Sequence, residues 1–294
     1  MNVVFIASLS HSGSTLLDLL LGNHPRLIGL GEVYKVINLS SEQLEGEKNM
    51  RCTCGECAAD CRFWGPAISD LQQQEDKSLP DRYRVLLRNF QNIFGENSYL
   101  VDSSKYGEPF SMLASMENVQ LKAIHLLKDV RSFTISQRDA LPAEMKYGHL
   151  PVAFGSQALS SWLYSQSLKS PSYLFWKWYL RNRAAQKRIQ SSVSEHSAIS
   201  YEELSLSTEA SMQRLFNFLD LDATEDISLA PKASQSHIFM GNQMIADKQK
   251  MQEIQYDKRW LSRNDWKLPA ALFPNIMAYN SRYIYSRIAE KAIL

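Results

Sequence analysis

The chain has 294 residues, 45% of them hydrophobic, which is enough to bury the core of one large α/β domain and excludes a disordered or fibrous protein. With 32 Lys and Arg against 31 Asp and Glu, the net charge is +1, so no global field draws the chain to nucleic acid or to an acidic membrane, and any anion must meet a local site. No apolar run is long enough to span a bilayer and the N-terminus lacks a basic region and a cleavage site, so the expected location is cytoplasmic, with no membrane or nucleic-acid partner.

Taken along the chain, apolar runs alternate with longer segments of helical period, as expected of parallel strands joined by crossover helices. Residues 3–7 (VVFIA) are continuously apolar, which fits a strand covered on both faces. SLSHSGST follows and leads into TLLDLLLGN, a helix ended by Gly22, Asn23 and Pro25. Residues 40–80 lose periodicity and carry all four cysteines, Cys52, Cys54, Cys57 and Cys61, which marks an insertion in an otherwise single domain of residues 1–294. A helix is expected around 80–94, strands at 98–102 and 121–127 with a crossover helix over 107–118, and a further helix over 130–140. Residues 141–170 read as loop and short helix. Beyond them come a helix with an aromatic stripe over 172–189, a strand at 196–200, an amphipathic helix over 207–221 and a C-terminal helix over 269–291.

A strand that enters a Ser/Gly turn and then a helix N-terminus directs several unpaired N–H groups, and the positive end of the helix dipole, at one point. Ser10, His11, Ser12, Gly13, Ser14 and Thr15 form such an anion cradle, but no Lys precedes Ser14, so the GxxxxGK[ST] pattern of an ATP or GTP site fails. A small-molecule kinase or a non-catalytic nucleotide-binding module is the alternative reading of this loop. The cysteines leave three roles open, a metal clip, a local disulfide or plain packing, and the tight spacing C-x-C-x2-C-x3-C favours the last two.

HSGST followed by His24-Pro25, VDSSKY at 101–106, LLKDVRSFTIS, ISYEELSLSTEASMQRLFNFLDL, and HIFMGNQM with YDKRW at 256–260 occur in one order along the chain. In that set the chain resembles the sulfotransferases that use 3′-phosphoadenosine 5′-phosphosulfate (PAPS). The resemblance implies a P-loop NTPase-like α/β fold, a three-layer sandwich around a mainly parallel sheet. It also implies transfer of a sulfuryl group from PAPS to a hydroxyl or amine of a small-molecule acceptor, such as a secondary metabolite or sugar, with no metal required. By the same resemblance Ser10–Thr15 hold the 5′-phosphosulfate, Lys128 and Ser136 the 3′-phosphate, and Tyr201 lies near the adenine. The chain departs from the family pattern in three places. His11 stands where Lys or Arg is usual, Lys128 where Arg is commoner, and Ile245 where a basic residue is frequent, which turns attention to Lys258 and Arg259 as further phosphate contacts.

Three residues are candidates for catalysis. Lys105 is expected past a strand end, where it can stabilise the bridging oxygen of the leaving phosphate. Glu32 in GLGEVYK matches the glutamate base of tyrosylprotein-type sulfotransferases, although by its local sequence alone it reads as a surface residue in a Gly turn. His11 is the reserve base. His125 and His237 are alternative bases, but a lone His in an apolar strand such as AIHLL reads more readily as a satisfied core residue.

Overall fold

A computed structural model describes residues 1–146, 170–222, 228–231, 234–241 and 248–287, with the side chains of 141–146 left aside. Five parallel strands form the sheet: β1 (Asn2–Ser8), β2 (Leu27–Gly29), β3 (Tyr99–Asp102), β4 (Gln120–Leu127) and β5 (His196–Ser200), in the order β2-β3-β1-β4-β5. The α/β reading with a parallel central sheet is therefore correct.

The period of two along β1 divides the core. Val3, Phe5 and Ala7 face one layer, with Trp64, Tyr83, Phe90 and Phe110. Val4 and Ile6 face the other, with Leu16, Leu17 and Leu20 of α1 (Ser14–Leu21) and Leu215 and Phe216 farther along the chain. Both faces of β1 are buried, which is why its sequence is continuously apolar instead of alternating. Each large apolar side chain so buried contributes roughly 1.5–3 kcal/mol. All eight residues of α1 are buried, the polar Asp18 included.

The 40–80 region is more ordered than its composition suggests. After α2 (Val33–Ile37), it holds α3 (Ser41–Glu47), capped by a reciprocal Ser40–Gln43 box, and α4 (Trp64–Gln72). Then come α5 (Leu79–Phe94), α6 (Glu108–Ala114), α7 (Val130–Lys146), α8 (Pro171–Ser192), α9 (Tyr201–Leu206) and α10 (Thr208–Phe218). Most of the segment read as loop over 141–170 lies outside the described residues. The expected helix over 269–291 is broken: α11 (Lys248–Gln252) is followed by α12 (Lys267–Leu272), α13 (Pro274–Asn280) and a π turn at Ser281–Tyr285. The cause is Pro274, which supplies no N–H and drives Phe273 out of the helical region, to φ −122° and ψ 65°. Strand β2 was not foreseen, because three residues are too few to show a period.

From the central pair β1 and β4, the chain leaves in opposite directions across the sheet, β1 toward β3 and β2, β4 toward β5. Ligands of open α/β sheets bind in the crevice at such a switch point, beyond the strands' carboxyl ends. Among the described residues, no helix is long and apolar enough to cross a membrane.

Candidate functional site

The turn after β1 carries two left-handed residues, His11 (φ 62°) and Gly13 (φ 92°), which curl the backbone ahead of α1. Such alternation turns successive N–H groups toward one side, as an anion requires. His11 is half-buried, Ser12, Ser14 and Thr15 are buried, and Ser10 is exposed, its carbonyl accepting from Gln137 Nε2 at 3.2 Å. A Cβ on Gly13 would stand 2.7 Å from Tyr201 Cδ2, so the Tyr201 ring lies directly on the loop.

Lys105 reaches the loop from the end of β3. Its Nζ donates to Ser14 Oγ at 2.5 Å and lies 3.2 Å from Glu32 Oε1. The turn that carries it is tied on several sides. Asp102 Oδ1 accepts from Ser104 N (2.7 Å), Asp102 Oδ2 from Tyr83 Oη (3.0 Å), and Ser8 O from Tyr106 N (3.1 Å). Burial pushes the Asp102 carboxyl up to about 6.

Glu32 stands at the start of α2 and is 7% exposed, so it is no surface glutamate. Its second oxygen, Oε2, pairs with Lys35 Nζ at 2.7 Å. Burial alone would raise its carboxyl, but Lys105 and then Lys35 outweigh burial and hold it below the ordinary glutamate value. It is therefore an ionised acceptor at neutral pH. The preceding turn is positioned by Asp18, whose Oδ2 accepts from Gly31 N at 3.2 Å, and by Ser103 N, which donates to Gly31 O at 2.9 Å. A Cβ on Gly29 would fall 1.7 Å from Asp18 Oδ1, so a larger residue there would displace the Asp18 carboxylate.

A second cationic cluster follows β4. Lys128 Nζ donates to Ser136 Oγ (3.0 Å) and to Asp257 Oδ2 (2.9 Å) and sits 4.7 Å from the Tyr201 ring centre. Arg259 grips Asp257 with Nε on Oδ1 (2.8 Å) and Nη2 on Oδ2 (2.9 Å), and Nη2 also donates to Ser136 Oγ at 3.3 Å. Lys258 is exposed and makes none of these contacts among the described residues. Tyr201 Oη donates to Gln255 O and accepts from Asp257 N, so one ring separates the loop from the cluster. Beneath it, Asp129 caps α7 through Arg131 N (2.7 Å), accepts from Asn280 and Tyr285, and donates its own N–H to Glu202.

The family profile described as "Sulfotransferase family" matches residues 3–226. The chain belongs to the sulfotransferase family. Among solved structures, this sulfotransferase is similar to the sulfotransferase domain from the Synechococcus PCC 7002 olefin synthase, at 18% identity and a TM-score of 0.57, over 93% of this chain and 94% of that one. It is similar also to the sulfotransferase domain from the curacin biosynthetic pathway, at 17% identity and a TM-score of 0.50, over 93% and 97%. No curated protein matches the chain.

The fold thus brings Ser14, Lys105 and Glu32 into one contact set, and Lys128, Ser136 and Arg259 into another, with Tyr201 between them. Asp257, Asp18 and Lys35 were not singled out from the sequence of the sulfotransferase. Of the two cations in YDKRW only Arg259 grips Asp257 among the described residues, and that Asp carries no local signal of its role. His125 is a core residue as expected: it meets Asn182 Oδ1 at 3.3 Å, and burial pushes its imidazole down to about 4.

Proposed function

We propose that this sulfotransferase moves the sulfuryl group of PAPS to a hydroxyl or amine of a small-molecule acceptor. The observation that carries the reading is Lys105, whose ammonium touches both the loop hydroxyl of Ser14 and the carboxylate of Glu32. The candidate leaving-group stabiliser and the candidate general base then border one point, where an in-line transfer can set the sulfuryl group between the donor oxygen and the acceptor atom.

The donor set also suits a nucleotide with phosphates at two positions. In this reading the loop N–H groups, Ser14 and Thr15 hold the 5′ side. Lys128, Ser136 and Arg259 hold the 3′-phosphate, which replaces the Asp257 carboxylate among them. Lys105 donates to the bridging oxygen as negative charge grows there, and Glu32 accepts the proton of the attacking group. As Lys105 turns toward the leaving oxygen, Glu32 loses one of the two cations that hold its basicity down, so its proton affinity rises when the proton arrives.

Calorimetry with 3′-phosphoadenosine 5′-phosphate (PAP) and with adenosine 5′-phosphate tests the assignment. Lys128→Ala and Ser136→Ala should weaken the first ligand strongly and the second little, because the lost contacts go to the 3′-phosphate. Equal losses on both ligands would move that phosphate elsewhere. The acceptor then follows from mass spectrometry of candidate hydroxyl and amine compounds incubated with enzyme and PAPS.

A further inference from the structure

Three of the four cysteines meet a histidine from far along the chain. The ligand atoms of Cys52, Cys54, Cys61 and His237 all lie within 4.8 Å of one another, with Cys61 Sγ 3.1 Å from His237 Nδ1. All four cysteines are free thiols. Cys57 is not in the set: its Sγ faces Asp60 Oδ2 at 3.0 Å. Cys52, Cys61 and His237 are buried and Cys54 is exposed.

We infer that Cys52, Cys54, Cys61 and His237 form a structural zinc site that clips the cysteine-bearing insertion to the segment 234–241. Three soft thiolates and one imidazole are a donor set of structural zinc, which takes four ligands in a tetrahedron. Zn–S of about 2.3 Å and Zn–N of about 2.0–2.1 Å imply ligand atoms roughly 3.5–3.8 Å apart, so the most distant pair has about 1 Å to close. Binding replaces the thiol protons, which leave to solvent, and no oxidant or reductant takes part.

The surrounding backbone is built to bring these four ligands together. Cys52 and Cys54 flank a tight turn in which Gly55 N donates to Cys52 O at 3.0 Å and Gly55 takes φ 100°. Between them, Thr53 bonds the segment on both sides of the histidine. Its N–H donates to Ile238 O (2.9 Å), its hydroxyl to Ser236 O (2.5 Å), and it accepts from Ile238 N (2.9 Å). Trp64 Nε1 donates to His237 O, and Trp64 N points at Cys61 Sγ at 3.5 Å. Outer contacts of this kind orient ligands before the metal arrives. A surface cleft of about 430 Å³ lined by Cys54, Arg62 and His237 gives the ion a way in.

The clip has a consequence for the candidate active site. One residue past His237, Ile238 packs on Gly31, where a Cβ would meet Ile238 Cγ2 at 2.7 Å and Met240 O at 3.0 Å. Gly31 precedes Glu32, so the zinc-held segment roofs the turn that presents the carboxylate. The site holds this roof in place and takes no part in transfer.

The test uses the whole chain, purified reduced from zinc-supplied cells without a metal-affinity tag. Elemental analysis should find one zinc per chain, and X-ray absorption should fit three sulfurs and one nitrogen at the distances above. Titration of the metal-depleted chain with Co²⁺ should produce tetrahedral thiolate bands. Cys57→Ser should keep the metal, while Cys54→Ser and His237→Ala should lose it or bind it weakly. Because the wild-type chain alone gives the first three readouts, misfolding of a variant cannot rescue the idea. A folded, reduced wild-type chain that takes up neither zinc nor cobalt overturns it, as does a Cys52–Cys61 disulfide found by mass spectrometry in the purified protein.

Discussion

The Asp257 carboxylate stands 2.9 Å from the Lys128 ammonium and fills the space among Lys128, Ser136 and Arg259, the space that the proposed function assigns to the 3′-phosphate. Burial opposes its charge, but Arg259 and Lys128 outweigh burial and hold the carboxyl well below the usual range. Asp257 therefore contributes stability at neutral pH that is lost only as pH falls below the ordinary carboxylate value. In the proposed reaction it also competes with the nucleotide. Asp257→Asn should bind PAP about tenfold more tightly, equivalent to about 1.4 kcal/mol. Calorimetry decides it: weaker binding would mean that the carboxylate organises the cations instead of competing for them.

Glu32→Gln keeps the side-chain shape but cannot take a proton. Turnover should fall by roughly 10²- to 10⁴-fold, the range for loss of a general base, with PAP affinity near wild type. Because Lys105 and Lys35 hold Glu32 ionised, the wild-type rate should be flat around neutral pH. A rate that rises through about pH 6.5, together with an active Glu32→Gln enzyme, would transfer the role to His11.

Lys105→Met should lower turnover by roughly 10²- to 10³-fold, as the loss of one transition-state donor does. It has a second signature. Removing the cation with the larger lowering influence lets burial raise the Glu32 carboxyl, so the acid limb of the residual pH–rate profile should move to higher pH. An unmoved limb would separate the titrating group from Lys105.

Asp18 gives a stability prediction with a definite sign. Burial, its largest influence, pushes the carboxyl up to about 7, so the folded chain keeps a proton that the unfolded chain releases at lower pH. The stability this provides is complete below the ordinary Asp value and is lost as pH rises through about 7. Asp18→Asn retains an acceptor for Gly31 N and removes the titration. Its melting temperature relative to wild type should climb between about pH 5 and about pH 8, measured by calorimetry. Parallel curves for the two proteins would show that Asp18 is not carrying the shift.

Much of this arrangement was legible in short stretches of sequence, because a strand running into its own turn is local. VVFIASLSHSGST, VDSSK and LLKDVRS each hold strand, turn and candidate side chain within about a dozen residues, and the three strands are found where expected. The burial of Glu32 was not legible, since its surroundings include a segment about two hundred residues on, where Ile238 packs at Gly31 and Gly241 approaches the carboxylate. The partner of Cys61 lies 176 residues away, so cysteine spacing alone made a metal look disfavoured. The broken C-terminal helix was the avoidable error: Pro274 was in plain sight inside an otherwise helical pattern.

The position of the cysteine–histidine cluster bears on how a magnesium requirement is tested. A chelator strong enough to strip the assay of divalent ions also competes for three thiolates and an imidazole that pin residues 234–241 over Gly31. Activity lost to magnesium removal disappears within a turnover and returns at once when magnesium is restored. Activity lost through the clip decays with incubation time, follows the departure of zinc, and is not restored by magnesium. The time course of inactivation therefore distinguishes an ion that takes part in the chemistry from one that keeps the roof over Glu32 shut.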